Sequence, residues 1–282
     1  MKLIKRRIAS VSGTQKLMRA MDLAAASRFH RAKARLEHIR PLYESIREIM
    51  AGVHPEDERF DGPYAARDKV RNIAYVVITG DRGLCGGYNV NVSREALALM
   101  DANPGSEEHI ITVGTKGWEF FRRRHRKVAL RIRNASEDAF YEEAEQIGSM
   151  LSRMYRSEEI DEAYLIYTHF ESVLSHSPRI FRLLPVGADD FERKAHHEHM
   201  IYEPGAEDFM EYAVPLYLDV SIYGAMVESA VCEHAARMTS MDAAARNAGE
   251  IIDSLTMDYN RKRQGLITQE ISEIVGGANA LK

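Results

Sequence analysis

The chain has 282 residues, of which 45% are apolar and 28% charged, and its net charge is −4. That length and apolar share support a real core in one large domain or two small ones. Eight prolines and eighteen glycines are too few for a fibrous or disordered chain. No uncharged apolar run approaches the roughly 18 residues of a membrane helix; the nearest, from Tyr212 to Val231, is broken by Pro215, Asp219 and Glu228. The basic start runs straight into a mixed polar pattern, so no signal peptide is expected. Cys85 and Cys232 alone make neither a disulfide framework nor a metal site, which predicts a soluble chain from a reducing compartment. The slight acidity argues against a general nucleic-acid binder.

The first 50 residues are basic, with twelve Lys and Arg against four acids. They carry one uninterrupted three-four alternation: Ile4, Ile8, Val11, Gln15, Met18, Asp22, Ala25, Phe29, Ala32, Leu36, Ile39, Tyr43, Ile46, Met50 and Val53. A seven-residue repeat sustained this long is a coiled-coil seam. As one helix it would be roughly 75 Å long, with Pro41 as a bend through which the stripe stays in phase.

Between Asn72 and Leu184 the period changes. Ile73 to Thr79 is a short apolar run ending at Gly80, the mark of a buried strand. A helix from Ser93 to Asp101, a turn at Asn103-Pro104-Gly105, a strand from His109 to Gly114 and a short helix from Lys116 to Arg124 follow. A strand around Val128 to Arg133, a helix from Asp138 to Arg156, and strands at Ala163 to Thr168 and Arg179 to Leu184 close the set. Alternating strands and helices predict a small, mostly parallel sheet covered by helices. Asp189 to His199 reads as an irregular loop.

The last segment is acidic: from Glu207 twelve acids face six bases. Tyr217, Val220, Gly224, Val227, Val231, His234, Met238, Met241, Ala245, Ala248, Ile252, Leu255 and Tyr259 repeat the heptad. The stripe then changes face to Ile267, Ile271, Ile274, Ala278 and Leu281. Gly, Ala and Met on this seam permit close helix approach.

Chemistry is harder to find. Gly80 to Gly87 follows a strand, where phosphate loops occur, but it matches neither G-x-x-x-x-G-K-[ST] nor G-x-G-x-x-G and reads as a tight turn. Cys85 in it reads as a packed thiol. His196, His197 and His199, with Asp189, Asp190 and Glu192, read as a solvated loop rather than a metal site. Trp118, Phe120 and Phe121 beside Arg122, Arg123 and Arg124 read as an amphipathic helix with a basic outer end. No cofactor, metal or catalytic residue is implied. The small, nearly uncharged ending Ile274 to Leu281 suits a shaft end inside another protein's bore.

Three blocks resemble the gamma subunit of the F-type ATP synthase. The first is Ile4 to Val11 with Thr14-Gln15-Lys16 and Ala20-Met21; the second is Asp81 to Asn89. The third runs from Ser229 through Glu233 to Met238, Met241-Asp242 and Asn247-Ala248, then Tyr259-Asn260-Arg261, Arg263-Gln264, Ile267 to Glu270 and Gly276-Gly277-Ala278. The resemblance implies an α/β fold class: a long antiparallel coiled coil of the N- and C-terminal helices (1–58 and 207–282) plus a central Rossmann-like α/β domain (70–205). It implies a non-catalytic central rotor shaft that couples c-ring rotation to the beta-subunit catalytic sites. The expected partners are the alpha and beta subunits, the epsilon subunit and the c-ring, with no nucleic acid and no direct membrane insertion.

Position by position, Met21, Arg237, Arg263, Gln264, Thr268 and Glu270 match the contact zone for the beta-subunit catch loops. Met200, Tyr202 and Glu203 match the foot facing the c-ring and epsilon, although Met200 stands where the family often has an aromatic. Gly276, Gly277, Ala278 and Leu281 form the shaft tip. The plant regulatory insertion with its cysteine pair is absent, and no transit peptide is read, so the expectation is a bacterial chain, peripheral on the cytoplasmic side of the cell membrane. Two other readings stand beside this one: a coiled-coil adaptor whose α/β domain binds a nucleotide or protein, and an enzyme using the Gly80 to Gly87 loop.

Overall fold

The computed structural model describes residues 1–51, 64, 66–133, 140–186 and 206–280. The elements are α1 (Lys2–Ala51), β1 (Asn72–Ile78), α2 (Tyr88–Ala102), β2 (Glu107–Val113), α3 (Thr115–Arg122), β3 (Val128–Ile132), α4 (Tyr141–Arg156), β4 (Glu162–Phe170), β5 (His176–Leu184) and α5 (Ala206–Ala280). They fall into two compact units, Ala26–Arg237 and Met1–Ala25 with Met238–Lys282.

In the larger unit, five strands form one sheet in the order β3-β2-β1-β4-β5. β1 sits at the centre, parallel to β2 and β4, and this position explains its nearly unbroken apolar sequence. Ala74, Val76 and Ile78 face a core built with α4, α5 and the second half of α1. Ile73, Tyr75 and Val77 face the opposite core, with Val92, Ala96 and Met100 of α2 and Phe121 of α3. A central strand covered on both faces has no polar side to alternate with. β5 runs antiparallel to β4. Only Glu171 to Ser175 joins them, a link far too short for the crossover that parallel pairing requires. The strands are also longer than the apolar runs alone suggest, because His169, Phe170, His176 and Ser177 extend the β4–β5 hairpin.

Helix α2 begins at Tyr88, five residues before the sequence pattern suggests. Its early start comes from Asn89, whose Oδ1 accepts the Gly80 N–H at 2.7 Å and whose Nδ2 donates to Arg82 O at 3.2 Å. The first turn is thereby tied back to the loop that precedes it.

The heptad stripe of α1 is visible residue by residue. Ala25, Phe29, Leu36, Ile46 and Met50 are buried; Ile4, Ile8, Val11, Gln15, Met18, Asp22, Ala32, Ile39 and Tyr43 are half-buried; most positions between them are exposed. Pro41 lies inside the helix without ending it, and Tyr43, Ile46 and Met50 stay on the inner face beyond it. In the larger unit α1 and α5 are antiparallel. Tyr43 packs at Gly224, and further along α1 Ile46 and Met50 meet Phe209, Ala213 and Leu216, earlier in α5. In the smaller unit the Gln15 amide Nε2 donates to Ala245 O at 3.1 Å, so the polar residue on the seam is spent on the partner helix.

Candidate partner-contact surfaces

In the larger unit, the turn after β1 is fastened to α5. Glu233 is buried, and its Oε1 accepts from Arg237 Nη2 at 2.5 Å, one helical turn on. Arg237 also donates from Nε and Nη2 to Gly83 O at 3.4 and 3.3 Å. The guanidinium thus ties a buried carboxylate to a backbone carbonyl 154 positions away. Gly80 explains why this turn must start with glycine: an added Cβ would lie 2.6 Å from the Glu233 carboxyl carbon. Gly86 has φ 55°, where glycine is favoured, and Leu84 holds φ 64° with a β-carbon.

Behind the loop, Cys85, Tyr88, Cys232 and Ala236 form a small apolar cluster. Burial pushes both thiols up, with Glu233 adding at Cys85 and Glu228 at Cys232. These are packed thiols held in the unreactive protonated form. The adjoining part of α5 anchors β4: Ser229 Oγ accepts the Thr168 N–H at 3.4 Å and Glu228 Oε1 the Phe170 N–H at 3.1 Å. The resemblance blocks at Asp81–Asn89 and Ser229–Met238, distant in sequence, therefore meet through Arg237 and Gly83.

Within the smaller unit the decisive feature is the end of α5. Met241, Ala245 and Ala248 are buried and Ile252, Leu255 and Tyr259 half-buried, but every side chain described from Asn260 to Val275 is exposed. On this stretch Ile267, Ile271 and Ile274 stand 47%, 56% and 72% exposed in one stripe. Three isoleucines on a bare helix face leave apolar surface in water, which makes this stretch a candidate contact surface.

Of the residues expected to touch partners, Met21 is half-buried, while Arg263, Gln264, Thr268 and Glu270 are exposed on the bare stretch of α5. Arg237 hydrogen-bonds the chain's own loop at Gly83. Gly276, Gly277 and Ala278 continue helix α5. Met200, Tyr202, Glu203 and Leu281 lie outside the described residues, as do the histidine cluster at His196, His197 and His199 and the acids Asp189, Asp190 and Glu192. Among the described residues no three His, Cys, Asp or Glu side chains group as metal ligands, and no helix is long and apolar enough to cross a membrane. Sequence reasoning missed the Gly80–Glu233 and Arg237–Gly83 contacts; the glycine before Asp81 was the one available sign of them.

Comparison with known proteins gives this geometry its family. The ATP synthase family model matches residues 1–281. The ATP synthase gamma chain of Alkaliphilus metalliredigens is 38% identical over 284 residues, covering 99% of this chain and 98% of that one. This chain belongs to the ATP synthase gamma chain family. The gamma chain of Moorella thermoacetica is 40% identical over 285 residues, again covering 99% and 98%. That of Acetobacterium woodii, described as sodium ion specific, is 35% identical over 298 residues and covers 99% and 97%. Among solved structures, a chain of the Tetrahymena thermophila mitochondrial ATP synthase central stalk and c-ring superposes with a TM-score of 0.64 at 25% identity. It covers 81% of this gamma chain homologue and 99% of its own length. A chain of the Euglena gracilis mitochondrial ATP synthase rotor shares the fold, with a TM-score of 0.69 at 17% identity and coverage of 94% and 98%.

Proposed function

We propose that this chain is the central rotor shaft of an F-type ATP synthase, a non-catalytic subunit that passes c-ring rotation to the catalytic sites of beta subunits. The observation that carries the reading is the bare end of α5, with its exposed Ile267, Ile271 and Ile274. Such a helix leaves its isoleucines in water unless a partner covers them, and the bore of an alpha–beta hexamer would do so on this reading.

On this reading α5 beyond Tyr259 stands in the bore, with Gly276, Gly277, Ala278 and Leu281 at the tip. Arg263, Gln264, Thr268 and Glu270, together with Met21, meet the catch loops of beta. Their amide, hydroxyl, carboxylate and guanidinium groups exchange hydrogen bonds with successive partners, as a rotating contact requires. Arg237 belongs to the same contact set, and Glu233 and the Gly83 carbonyl hold its guanidinium in place. Met200, Tyr202 and Glu203 face the c-ring and epsilon. The chain binds no cofactor, and its membrane attachment, on the cytoplasmic side of the cell membrane, passes through the ring rather than through a span of its own.

The test is to co-express the chain with the alpha and beta subunits of its organism and weigh the purified complex by native mass spectrometry. One copy with three of each partner is the expected result. Failure to form a complex, or several symmetric copies of this chain in it, overturns the proposal and returns the adaptor reading.

A further inference from the structure

On the larger unit, far in sequence from every surface used above, α3 and β3 gather cations around the chain's single tryptophan. The guanidinium carbon of Arg122 lies 4.3 Å from the Trp118 ring centroid, and that of Arg131 lies 3.9 Å from it. Both guanidinium groups are thus held against one indole, with their forks ordered by stacking. Arg133 is two residues beyond Arg131, just past the end of β3; its charge acts on Arg131, and it is exposed, as is Arg122.

Among the described residues, two neighbouring carboxylates are already engaged. Asp81 Oδ1 accepts the Thr115 N–H at 2.9 Å and its hydroxyl at 2.6 Å, and so caps α3. Glu119 pairs with Lys116 at 2.9 Å. Burial holds the Arg131 pKa below its ordinary value, and the charges of Arg133 and Arg122 add to the effect, partly offset by Asp81 and Glu119. β3 is also an outermost strand of the sheet. Charged side chains on an edge strand guard against stray pairing, but that purpose needs no second arginine stacked on a tryptophan from a neighbouring helix.

We propose that Trp118, Arg122, Arg131 and Arg133 form a docking site for an acidic, carboxylate-rich polypeptide segment of a partner protein. Guanidinium forks pair bidentately with carboxylates, and three of them fit a short run of Asp or Glu. The features here disfavour the larger polyanions. Trp118 is covered by guanidinium groups rather than left bare for a base to stack on. A chain of net charge −4 repels a long nucleic acid or an anionic bilayer beyond this small patch. The inference does not rest on the rotor reading and would hold for an adaptor as well.

The test uses the full-length chain and a fluorescein-labelled hexaglutamate peptide, followed by anisotropy and by the emission of Trp118. Expected are saturable binding and a change in Trp118 emission with the same half-saturation. Replacing both exposed arginines, Arg122→Glu with Arg133→Glu, should raise the half-saturation at least tenfold. Arg246→Glu, at an exposed ion pair with Asp242 on α5, should leave it unchanged, and matched melting curves show that the double variant is folded. Unchanged binding by the double variant places the peptide on the basic first helix and overturns the proposal. So does a silent Trp118. The same holds if twenty-residue oligothymidylate, or vesicles of phosphatidylcholine with phosphatidylglycerol, shift Trp118 at lower concentration than the peptide does.

Discussion

Asp219 on α5 faces α4 at Gly148, where an added Cβ would overlap its Oδ1. That oxygen is buried without a hydrogen-bond partner. Burial, and secondarily the charge of Glu145, push the carboxyl up to about 6. The sign follows from which form the fold prefers. An acid whose pKa is raised on folding is favoured in its neutral form, so ionisation costs stability in full above about pH 6, and the cost fades as pH falls from there to the ordinary carboxylate value of 3.8. Asp219→Asn supplies the neutral form permanently. It should raise Tm at pH 8 by ~2–4 °C, corresponding to about 1 kcal/mol once the partial exposure of the site is allowed for. The gain should hold above about pH 6 and shrink steadily between about pH 6 and pH 4. Melting curves at four pH values check this, and a gain that stays constant with pH would remove the carboxyl's ionisation as its cause. The Glu233–Arg237 pair is the contrasting case, because there the buried carboxylate has its cation and the loop depends on both.

At the scale of elements, the α1 and α5 helices were legible because their signal repeats. Fourteen successive seam positions on α1 leave little freedom about which face is inside, and all of them are buried or half-buried. β1 was legible for the opposite reason: an apolar run without alternation has to be covered on both faces. The start of α2 was not legible, since it depends on Asn89 reaching back to Gly80 and Arg82 rather than on any periodicity. Nor was the inward turn of Arg237, whose partner Gly83 is remote in sequence and offers only a backbone carbonyl. The seam also shows where small residues matter. Gly224 allows the Tyr43 ring to approach so closely that an added Cβ would lie 3.0 Å from its Cδ2. Gly224→Leu should therefore push α1 from α5 locally and destabilise the larger unit by about 1–3 kcal/mol. Gly265→Leu serves as its counterpart, because nothing lies within 4 Å of a Cβ there. Chemical denaturation should show a clear loss for the first variant and none, or a slight gain from helix propensity, for the second.

For the whole molecule, the two compact units and the bare end of α5 make different demands on the sequence. A core residue serves folding, whereas an exposed isoleucine on the α5 end serves whatever covers it. Truncation after Arg263 separates the two. It removes Ile267, Ile271 and Ile274 together with Gln264, Thr268 and Glu270, and every described side chain among the residues lost is exposed. The isolated chain should then keep its Tm within ~2 °C, since losing exposed side chains changes stability by at most about 0.5 kcal/mol. Assembled with alpha and beta subunits, the shortened chain should dissociate markedly faster, because buried apolar contact acts chiefly on the off-rate. Dilution of the purified complex followed by native mass spectrometry measures that rate. A truncated chain that melts early would mean the α5 end supports its own fold; one that stays bound as long as the full chain would mean the isoleucine stripe is not what the hexamer holds.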